Sequence, residues 1–556
     1  MFGKRMRHIN RYRDIAAALI SQGFDYVVEE IGLVQKAPAL PKIALTDKNT
    51  RSIGERIRLV LQQLGPTYIK LGQIASTRPD LLPAEVICEL EKLQDKVSAF
   101  SFAQTRNIIE HELGTKVEEI FKEFESSPLA AASIGQVYRA VLKTGENVAV
   151  KIQRPGIISI IKTDLEILHE LASLAERRFT WAENYQLADM VDEFSKSLHN
   201  ELDYTIEAHN AEKIAKQFID NPKIYIPKVY WDYSTKKVLT ADYIEGLKIS
   251  EVEKLAQQGY NLHRLAERLV KAIFQQIFVE GFFHGDPHPG NVVVLPGEII
   301  GFLDFGMVGR LSPEMKYNLA SLIIALTRQN SDGLVKAILR IGVVPDNVNM
   351  PQLRDDIELV KERYWGVPLS RISLADAVSD IFAIALKHNI KIPADLTLMG
   401  KTLLTVEGTV EKLDPGLSIL DVAEPFGRKL LIGRLHPKVL VETVWKNAAE
   451  FGDILVGFPK HFKELSSFVK RGRLRLDVSI PEMDFFLKTQ DRISNRLAFS
   501  ITLMAFSIIM AGIIIGLSLA GQPALLFKIP AIEIGFGIST LMFLWLLYAI
   551  LRSGRF

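Results

Sequence analysis

Apolar residues recur at helical spacing from Arg11 to Leu33, from Ile53 to Leu64 and from Tyr68 to Ser76. That periodicity gives a helix one face to bury. Pro38 and Pro41 break the first interval, Gly65-Pro66 the second, and Pro79 and Pro83 punctuate the helical stretch that follows. Near residue 128 the period changes to alternation. Gln136 to Leu142 is β-rich, Thr144-Gly145 supplies a turn, and Asn147 to Gln153 alternates, with Val148, Val150 and Ile152 on one face and Ala149, Lys151 and Gln153 on the other. Pro155-Gly156 ends that strand. Two helical runs, 160–178 and 187–217, precede a second expected strand pair, Ile224–Trp231 with Lys237–Tyr243. From about 262 the pattern is mainly helical, broken by a Gly/Pro-rich insert at 284–291 and a short β-like pair within 292–305. The fold class expected is α+β.

The C-terminal end has a different texture. Leu497 to Ala520 carries no formal charge, and Ala531 to Leu551 carries only Glu533. Each approaches or exceeds the roughly 20 residues that span a hydrocarbon core. Arg492 and Arg496 precede the first run, Arg552 and Arg555 follow the second, and Lys528 is the only base between. The positive-inside bias then puts both outer ends in the cytoplasm. A two-helix transmembrane hairpin over 491–556 is expected, with Gly512 and Gly516 spaced for close helix packing. The other reading of these runs is a buried helical hairpin. Ahead of the hairpin the expected units are a helical extension (1–100), a smaller β-containing lobe (101–246) and a larger helical lobe and region (247–490).

Composition narrows the chemistry. The 67 basic and 65 acidic residues nearly cancel, which gives no support for nucleic-acid binding. The mean hydropathy of +0.13 fits a membrane segment. The single cysteine, Cys88, excludes an intrachain disulfide and a Cys-based zinc site, and is expected to act as a small buried apolar group. Lys4, Arg5, Arg7, Arg11 and Arg13 crowd the N-terminus with no signal-peptide core behind them. They suit either a basic helix on a membrane surface or a solvated helix face.

Three sites in fixed order carry the candidate chemistry: Val148-Ala149-Val150-Lys151 on a strand, His284-Gly285-Asp286-Pro287-His288-Pro289-Gly290-Asn291, and Asp304-Phe305-Gly306. Phosphoryl transfer needs these residue types together. A strand lysine reaches the α- and β-phosphates of ATP, and hard oxygen ligands, Asn291 and Asp304, hold Mg2+. A carboxylate, Asp286, orients a hydroxyl or takes its proton. The spacing from Asp286 through Asn291 to D-F-G follows the protein-kinase pattern. His284 and His288 lack the helix that an H-x-x-x-H metal pair requires, since Pro287, Pro289 and Gly290 intervene; they are expected to brace the loop. Ahead of the strand lies Leu129-Ala130-Ala131-Ala132-Ser133-Ile134-Gly135-Gln136-Val137, in which Ala130 and Ala132 stand where a Gly-rich phosphate loop has glycine. Alanine restricts positive φ there and stiffens the loop.

This Ala-rich loop, with Lys70-Leu71-Gly72-Gln73 and Glu201-Leu202-Asp203, resembles the Ala-rich loop, KxGQ and ExD motifs of the UbiB family of atypical kinases; the resemblance spans roughly residues 55–330. It implies an atypical protein-kinase-like two-lobed fold, an ATP-binding ATPase that is poor as a protein kinase, and support of isoprenoid-quinone synthesis at the membrane, with membrane lipid and quinone precursors or quinone-biosynthesis proteins as partners. It also implies that Leu129 to Val137 and Lys151 bind nucleotide, that Glu207 pairs with Lys151, and that Glu201 and Asp203 lie near a regulatory Lys70 and Gln73. Independently, Ser312-Pro313-Glu314 follows the D-F-G glycine so closely that no peptide platform fits between them. A small-molecule phosphotransferase of the aminoglycoside-kinase type and a nucleotide-switched scaffold are the rival readings.

Overall fold

Helices α1 (Phe2–Ser21) and α2 (Asp25–Glu30) part at Gly23, where φ is +77°. The chain there reverses through a backbone conformation that glycine adopts at little cost. In this computed structural model the described residues are 2–30 and, with short breaks, 51–426, together with isolated positions between 501 and 541. The chain divides into two units, Met1–Glu442 and Thr443–Phe556; the fold that follows belongs to the first. Among the described residues no helix is long and apolar enough to cross a membrane. The expected hairpin from Leu497 to Leu551 lies for the most part outside them.

Helix α3 (Ile53–Leu64) begins at Ser52, whose hydroxyl accepts from the Glu55 amide, and α4 (Pro66–Ala75) starts on a proline whose fixed φ suits a first turn. Tyr12, Ile15 and Ala16 of α1 pack with Val60, Leu64 and Tyr68 and with Ile167 from a later helix. Arg11 forks onto Asp164, with Nε to Oδ1 at 2.6 Å and Nη2 to Oδ2 at 2.9 Å, and also donates to the Leu64 carbonyl. The apolar face of α1 is therefore used inside the protein, and of its basic residues Arg11 is turned to a protein carboxylate. Helix α5 (Ala84–Leu90) buries Val86 and Leu90 and leaves Cys88 exposed, contrary to expectation. Cys88 lies on the helix face opposite the packed one.

The smaller lobe follows. Helices α6 (Phe102–Leu113) and α7 (Val117–Ile120) precede β1 (Phe121–Phe124), β2 (Ala130–Ala131), β3 (Gly135–Leu142) and β4 (Asn147–Gln153). Then come α8 (Ile157–Arg178), α9 (Leu187–Glu201) and α10 (Tyr204–Gln217), β5 (Ile224–Tyr225) and β6 (Val238–Asp242). The sheet runs β1-β3-β4-β6, with β2 paired to β3. Tyr138, Val148, Val150 and Val238 meet Ile109 of α6 on its core face. The helical run expected over 187–217 breaks at Leu202-Asp203, because the Asp203 carboxylate accepts from the Thr205 amide and caps a new helix. The expected pairing of Ile224–Trp231 with Lys237–Tyr243 shrinks to a single bridge, Val229 with Ala241. Strand β5 instead pairs parallel with a strand of the next lobe.

The larger lobe holds β7 (Leu247–Lys248), α11 (Val252–Gln257), α12 (Leu262–Phe274), a π-helical turn (Gln275–Glu280), β8 (Phe282–His284), β9 (Val292–Leu295), β10 (Ile299–Phe302) and β11 (Val308–Arg310). After these come α13 (Pro313–Thr327), α14 (Ser331–Ile341), α15 (Met350–Tyr364), α16 (Leu374–Lys387) and α17 (Ala394–Leu413). The small sheets are β5-β10-β9-β7 and β11-β8. The β-like pair expected within 292–305 is the antiparallel β9–β10 hairpin.

Candidate functional site

Lys151 sits midway along β4, cross-strand from Val137 and Leu239. Residues opposite one another share a sheet face, so Val137, Lys151 and Leu239 lie on the face opposite Val148 and Val150. Across from them, α10 presents Glu207. Lys151 Nζ lies 3.0 Å from Glu207 Oε1 and 2.9 Å from Oε2, and 3.8 Å from Asp304 Oδ2. Burial opposes the lysine charge, but Asp304 and Glu207 outweigh it and hold the lysine pKa above its usual value. Burial likewise raises Glu207, against the pull of Lys151.

Asp304 opens the D-F-G segment at φ +54°, and its Oδ1 accepts the Gly306 amide at 3.1 Å. That turn suits aspartate, whose short side chain can bond its own backbone two residues on. Lys151, with lesser help from the Gly306 amide, Lys70 and His284, lowers the carboxyl to about 2 against an opposing desolvation. The Asp304 side chain nevertheless keeps 52% of its surface exposed, so the carboxylate lies deep in the fold but open to the cleft. Asn291 uses its Nδ2 on the Asp286 carbonyl at 3.2 Å, which leaves its Oδ1 as the available ligand. One carboxylate and one amide oxygen suit Mg2+, which keeps water and phosphate oxygens for its other positions.

His284 and His288 brace their loop, as the sequence suggests. The Asp286 amide donates to His284 Nδ1 at 3.1 Å, and His284 Nε2 donates to the Leu303 carbonyl at 3.0 Å. This pairing fixes the neutral tautomer, and burial lowers the imidazole pKa in the same sense. His284 thus ties the segment carrying Asp286 to the residue before Asp304. His288 accepts the Gly290 amide at 2.8 Å. Strand β11 folds back on β8, and Pro313 opens α13 directly, so the segment after Gly306 is as short as its sequence implies.

The Ala-rich loop is a tight hairpin. Ala130 and Ala131 pair with Val137 and Gln136, and the Ala132 amide donates to the Gly135 carbonyl at 2.8 Å. Leu129 is half-exposed at its base. Ile134 at the tip inserts among Ile157, Ile161, Leu165 and Leu198, with Leu71 and Ile74 of α4 against the same cluster. Gly135 admits no side chain, since a Cβ would stand 2.4 Å from the Tyr204 hydroxyl and 2.5 Å from the Ile152 carbonyl oxygen. Gln136 does not join the site. It is buried on the core face and accepts from Tyr138 OH at 2.7 Å, because strand alternation turns it away from Val137 and Lys151. Ser133 is fully buried too, with no hydrogen-bond partner for its hydroxyl among the described residues.

Lys70 lies 2.6 Å from Glu201 Oε1. Asp203 does not join this pair: it caps α10 and faces Lys236 at 3.2 Å. Gln73 donates to the Leu93 carbonyl at 3.2 Å, fastening α4 to the chain after α5. The sequence reading overlooked Tyr204, whose ring lies 5.3 Å from Lys151 Nζ, and Asn210, which donates to the Phe305 carbonyl at 3.0 Å. Asn210 stands three residues beyond Glu207 and so shares its helix face, the one signal that could have found it. Gln276 on the π-helical turn accepts the His284 amide at 2.8 Å, and Thr402 of α17 donates to the Gly285 carbonyl at 3.1 Å.

Comparisons with known proteins agree with this geometry. Residues 92–338 match the ABC1 atypical kinase-like domain, 357–418 the UbiB helical domain and 481–552 the ABC1/UbiB kinase-like C-terminal domain. The chain is 34% identical to an uncharacterized protein from the hydrogenase 1 5′ region of Clostridium pasteurianum, over 98% of this chain and 99% of that one. It is 38% identical to a probable protein kinase UbiB of Azotobacter vinelandii, over 70% of this chain and 73% of that one. Identity to the chloroplastic Activity of bc1 complex kinase 7 of Arabidopsis thaliana is 35%, over 78% of this chain and 63% of that one. With its strand lysine, acidic partner, Asp–Asn loop and D-F-G carboxylate in kinase arrangement, this chain belongs to the UbiB family of ABC1-type atypical kinase-like proteins.

Proposed function

We propose that the protein binds MgATP in the cleft between its lobes and turns it over in support of isoprenoid-quinone biosynthesis at a membrane. The observation that carries the nucleotide part is the Lys151–Glu207 pair with Asp304 3.8 Å from the same ammonium. Lys151 would hold the α- and β-phosphates, and Asn291 and Asp304 would hold Mg2+, which when bound screens the phosphate charge. Asp286 orients the attacking oxygen, of water or of an acceptor hydroxyl, and accepts its proton. The new P–O bond forms at the γ-phosphorus, the bridging bond to the β-phosphate breaks, and ADP leaves. The short segment from Gly306 to α13 argues for a water or small-molecule acceptor over a peptide. The quinone role and the hairpin from Leu497 to Leu551, anchoring a cytoplasmic kinase-like domain, rest on the family and on the apolar runs.

The test is ATP affinity with and without magnesium for the parent and Asp304→Asn. The parent should need the metal, and the variant should lose most of that dependence; equal dependence in both overturns the site. In cells, deletion should deplete the isoprenoid quinone, and an Asp286→Asn copy should not restore it. Normal quinone after deletion would favour a small-molecule phosphotransferase of the aminoglycoside-kinase type.

A further inference from the structure

The Asp286 carboxylate accepts no hydrogen bond and makes no ion pair among the described residues. Its direction is therefore set by the backbone beneath it, and that backbone is held group by group. The Gly285 amide donates to the Met307 carbonyl at 2.8 Å, and the Asp286 amide donates to His284 Nδ1 at 3.1 Å. The Asp286 carbonyl accepts from Asn291 Nδ2 at 3.2 Å. Two further groups are held by side chains from outside the loop. Gln276 Oε1 accepts the His284 amide at 2.8 Å, and Thr402 Oγ1 donates to the Gly285 carbonyl at 3.1 Å. Both of these side chains are fully buried.

Gln276 reaches the loop from an irregular helix. After α12 the chain winds as a π-helical turn over Gln275–Glu280, and the Gly281 amide donates five residues back, to the Gln276 carbonyl. The end of the turn is pinned. Gly281 has φ +69°, its carbonyl accepts the Leu311 amide at 2.8 Å, and a Cβ there would stand 2.7 Å from the Leu311 carbonyl oxygen. An α-helix reaches back only four residues, so the π turn fits one residue more between α12 and β8. With that residue Gln276 faces β8 while Ile277 and Phe278 stay in the core. Gln275 donates to the Gln217 carbonyl at 2.8 Å, and Gln217 donates to the Phe282 carbonyl at 2.9 Å, which fastens the turn to α10 as well. The Gln276 amide nitrogen has no partner among the described residues, so the bond to His284 is what this side chain contributes. Thr402 is the weaker of the two holds, because its hydroxyl also lies 2.9 Å from the Leu398 carbonyl and shares its one proton between two acceptors.

We propose that Gln276 and Thr402 are positioning residues that aim the Asp286 carboxylate, Gln276 more strongly than Thr402. The kinetic consequence rests on the ATPase reading above; the hold on the loop stands on the hydrogen bonds alone. Neither side chain hydrogen-bonds Lys151, Asn291 or Asp304, so nucleotide and metal binding should be spared. Without them the segment carrying Asp286 can swing, and a misplacement of about 1 Å can cost roughly 10²-fold in rate. A loss confined to the chemical step lowers kcat and leaves KM as it was.

The experiment uses the full chain and reads Mg2+-dependent ATP hydrolysis beside amide hydrogen exchange of the peptide 282–291. Gln276→Leu keeps the bulk and removes the acceptor. It should lower kcat by about tenfold or more, with KM for ATP within about twofold of the parent. Exchange over 282–291 should quicken while exchange over 147–153 holds. Gln276→Glu keeps the acceptor and gives up only the nitrogen without a partner; burial holds the acid neutral, and most of the rate should return. Thr402→Val should lower kcat less, by about threefold, and Thr402→Ser should restore it. If Gln276→Leu does not fold, deletion of the exposed Val279 returns the turn to α-helical register, removes no core side chain and should give the same split between kcat and KM. Parental kcat in Gln276→Leu would overturn the assignment, whatever the exchange. So would a fall in kcat matched by a rise in KM, or a Gln276→Glu variant as slow as Gln276→Leu, since either means general damage. No ATP turnover in the parent would overturn the ATPase reading instead, and exchange over 282–291 would then decide the hold on the loop by itself.

Discussion

The Lys70 ammonium of helix α4 stands 2.6 Å from the Glu201 carboxylate at the end of α9. That pair joins the N-terminal helical extension to the helices flanking the cleft that holds Lys151 and Asp304, and Lys70 also contributes to the low pKa of Asp304. Both partners are only partly buried, at 16% and 30% exposure, so the pair is worth about 1 kcal/mol. A double-mutant cycle of Lys70→Met and Glu201→Gln, read by thermal or denaturant unfolding, should give a coupling of about that size. No coupling would show that the ion pair adds nothing to the packing of Tyr68, Leu71 and Ile74 and the Gln73 hydrogen bond that also hold α4.

Asp304 sets a pH dependence. Its carboxyl is lowered by Lys151 to about 2, from an ordinary value near 4. A carboxyl depressed by folding stabilises the folded state above its unfolded pKa, and that contribution is lost as pH falls through the folded value. Between about pH 4 and pH 2 the parent should therefore lose stability more steeply than Asp304→Asn. In Lys151→Met the carboxyl should titrate at higher pH than in the parent. NMR titration of the Asp304 side chain reads this directly, and an unchanged value in Lys151→Met would remove the lysine as the cause.

The Ala-rich loop should respond to its anchor as well as to its alanines. Ile134→Ala removes a buried side chain from the cluster with Ile157 and Leu198 and should cost about 2–4 kcal/mol. With the tip released, ATP and ADP affinities should shift. Ala132→Gly should shift the two affinities unequally without the stability loss, because glycine frees φ while Ile134 stays seated. Identical nucleotide affinities in the parent and both variants would remove the loop from nucleotide handling.

Arg11 holds α1 in place. Asp164 is almost wholly buried, so Arg11→Ala leaves a carboxylate with neither water nor partner. Removing one member of a buried pair costs about 3–5 kcal/mol, and unfolding should show a loss near the lower end of that range. Deleting residues 1–35, which removes the rest of α1 and α2 from the same cluster, should destabilise the extension further. A deletion variant with parental stability would show that the α1 clamp is dispensable.

The sequence by itself determined which residues could carry phosphoryl-transfer chemistry. Lys151, Asp286, Asn291 and Asp304 are legible because each sits in a local motif of kinase-like order, and Glu207 followed from the resemblance. Alternation placed Val148 and Val150 on the core face of β4, and Gly65-Pro66 marks a helix end through backbone geometry that acts within a few residues. What only the tertiary structure decided were choices between equally good local partners. The basic face of α1 could serve lipid, solvent or protein, and the buried carboxylate of Asp164, far along the chain, settled it for Arg11. Asp203 could meet Lys70 or cap a helix, and the amide of Thr205 was nearer. The resemblance put Gln136 among the nucleotide-binding residues, but the alternation of β3 turns it into the core beside Tyr138. Cys88 was called inward by its residue type and outward by the face of α5 that Val86 and Leu90 had already taken. Local spacing fixes which groups a segment presents, but long-range packing and the need to satisfy buried polar groups fix which of them meet.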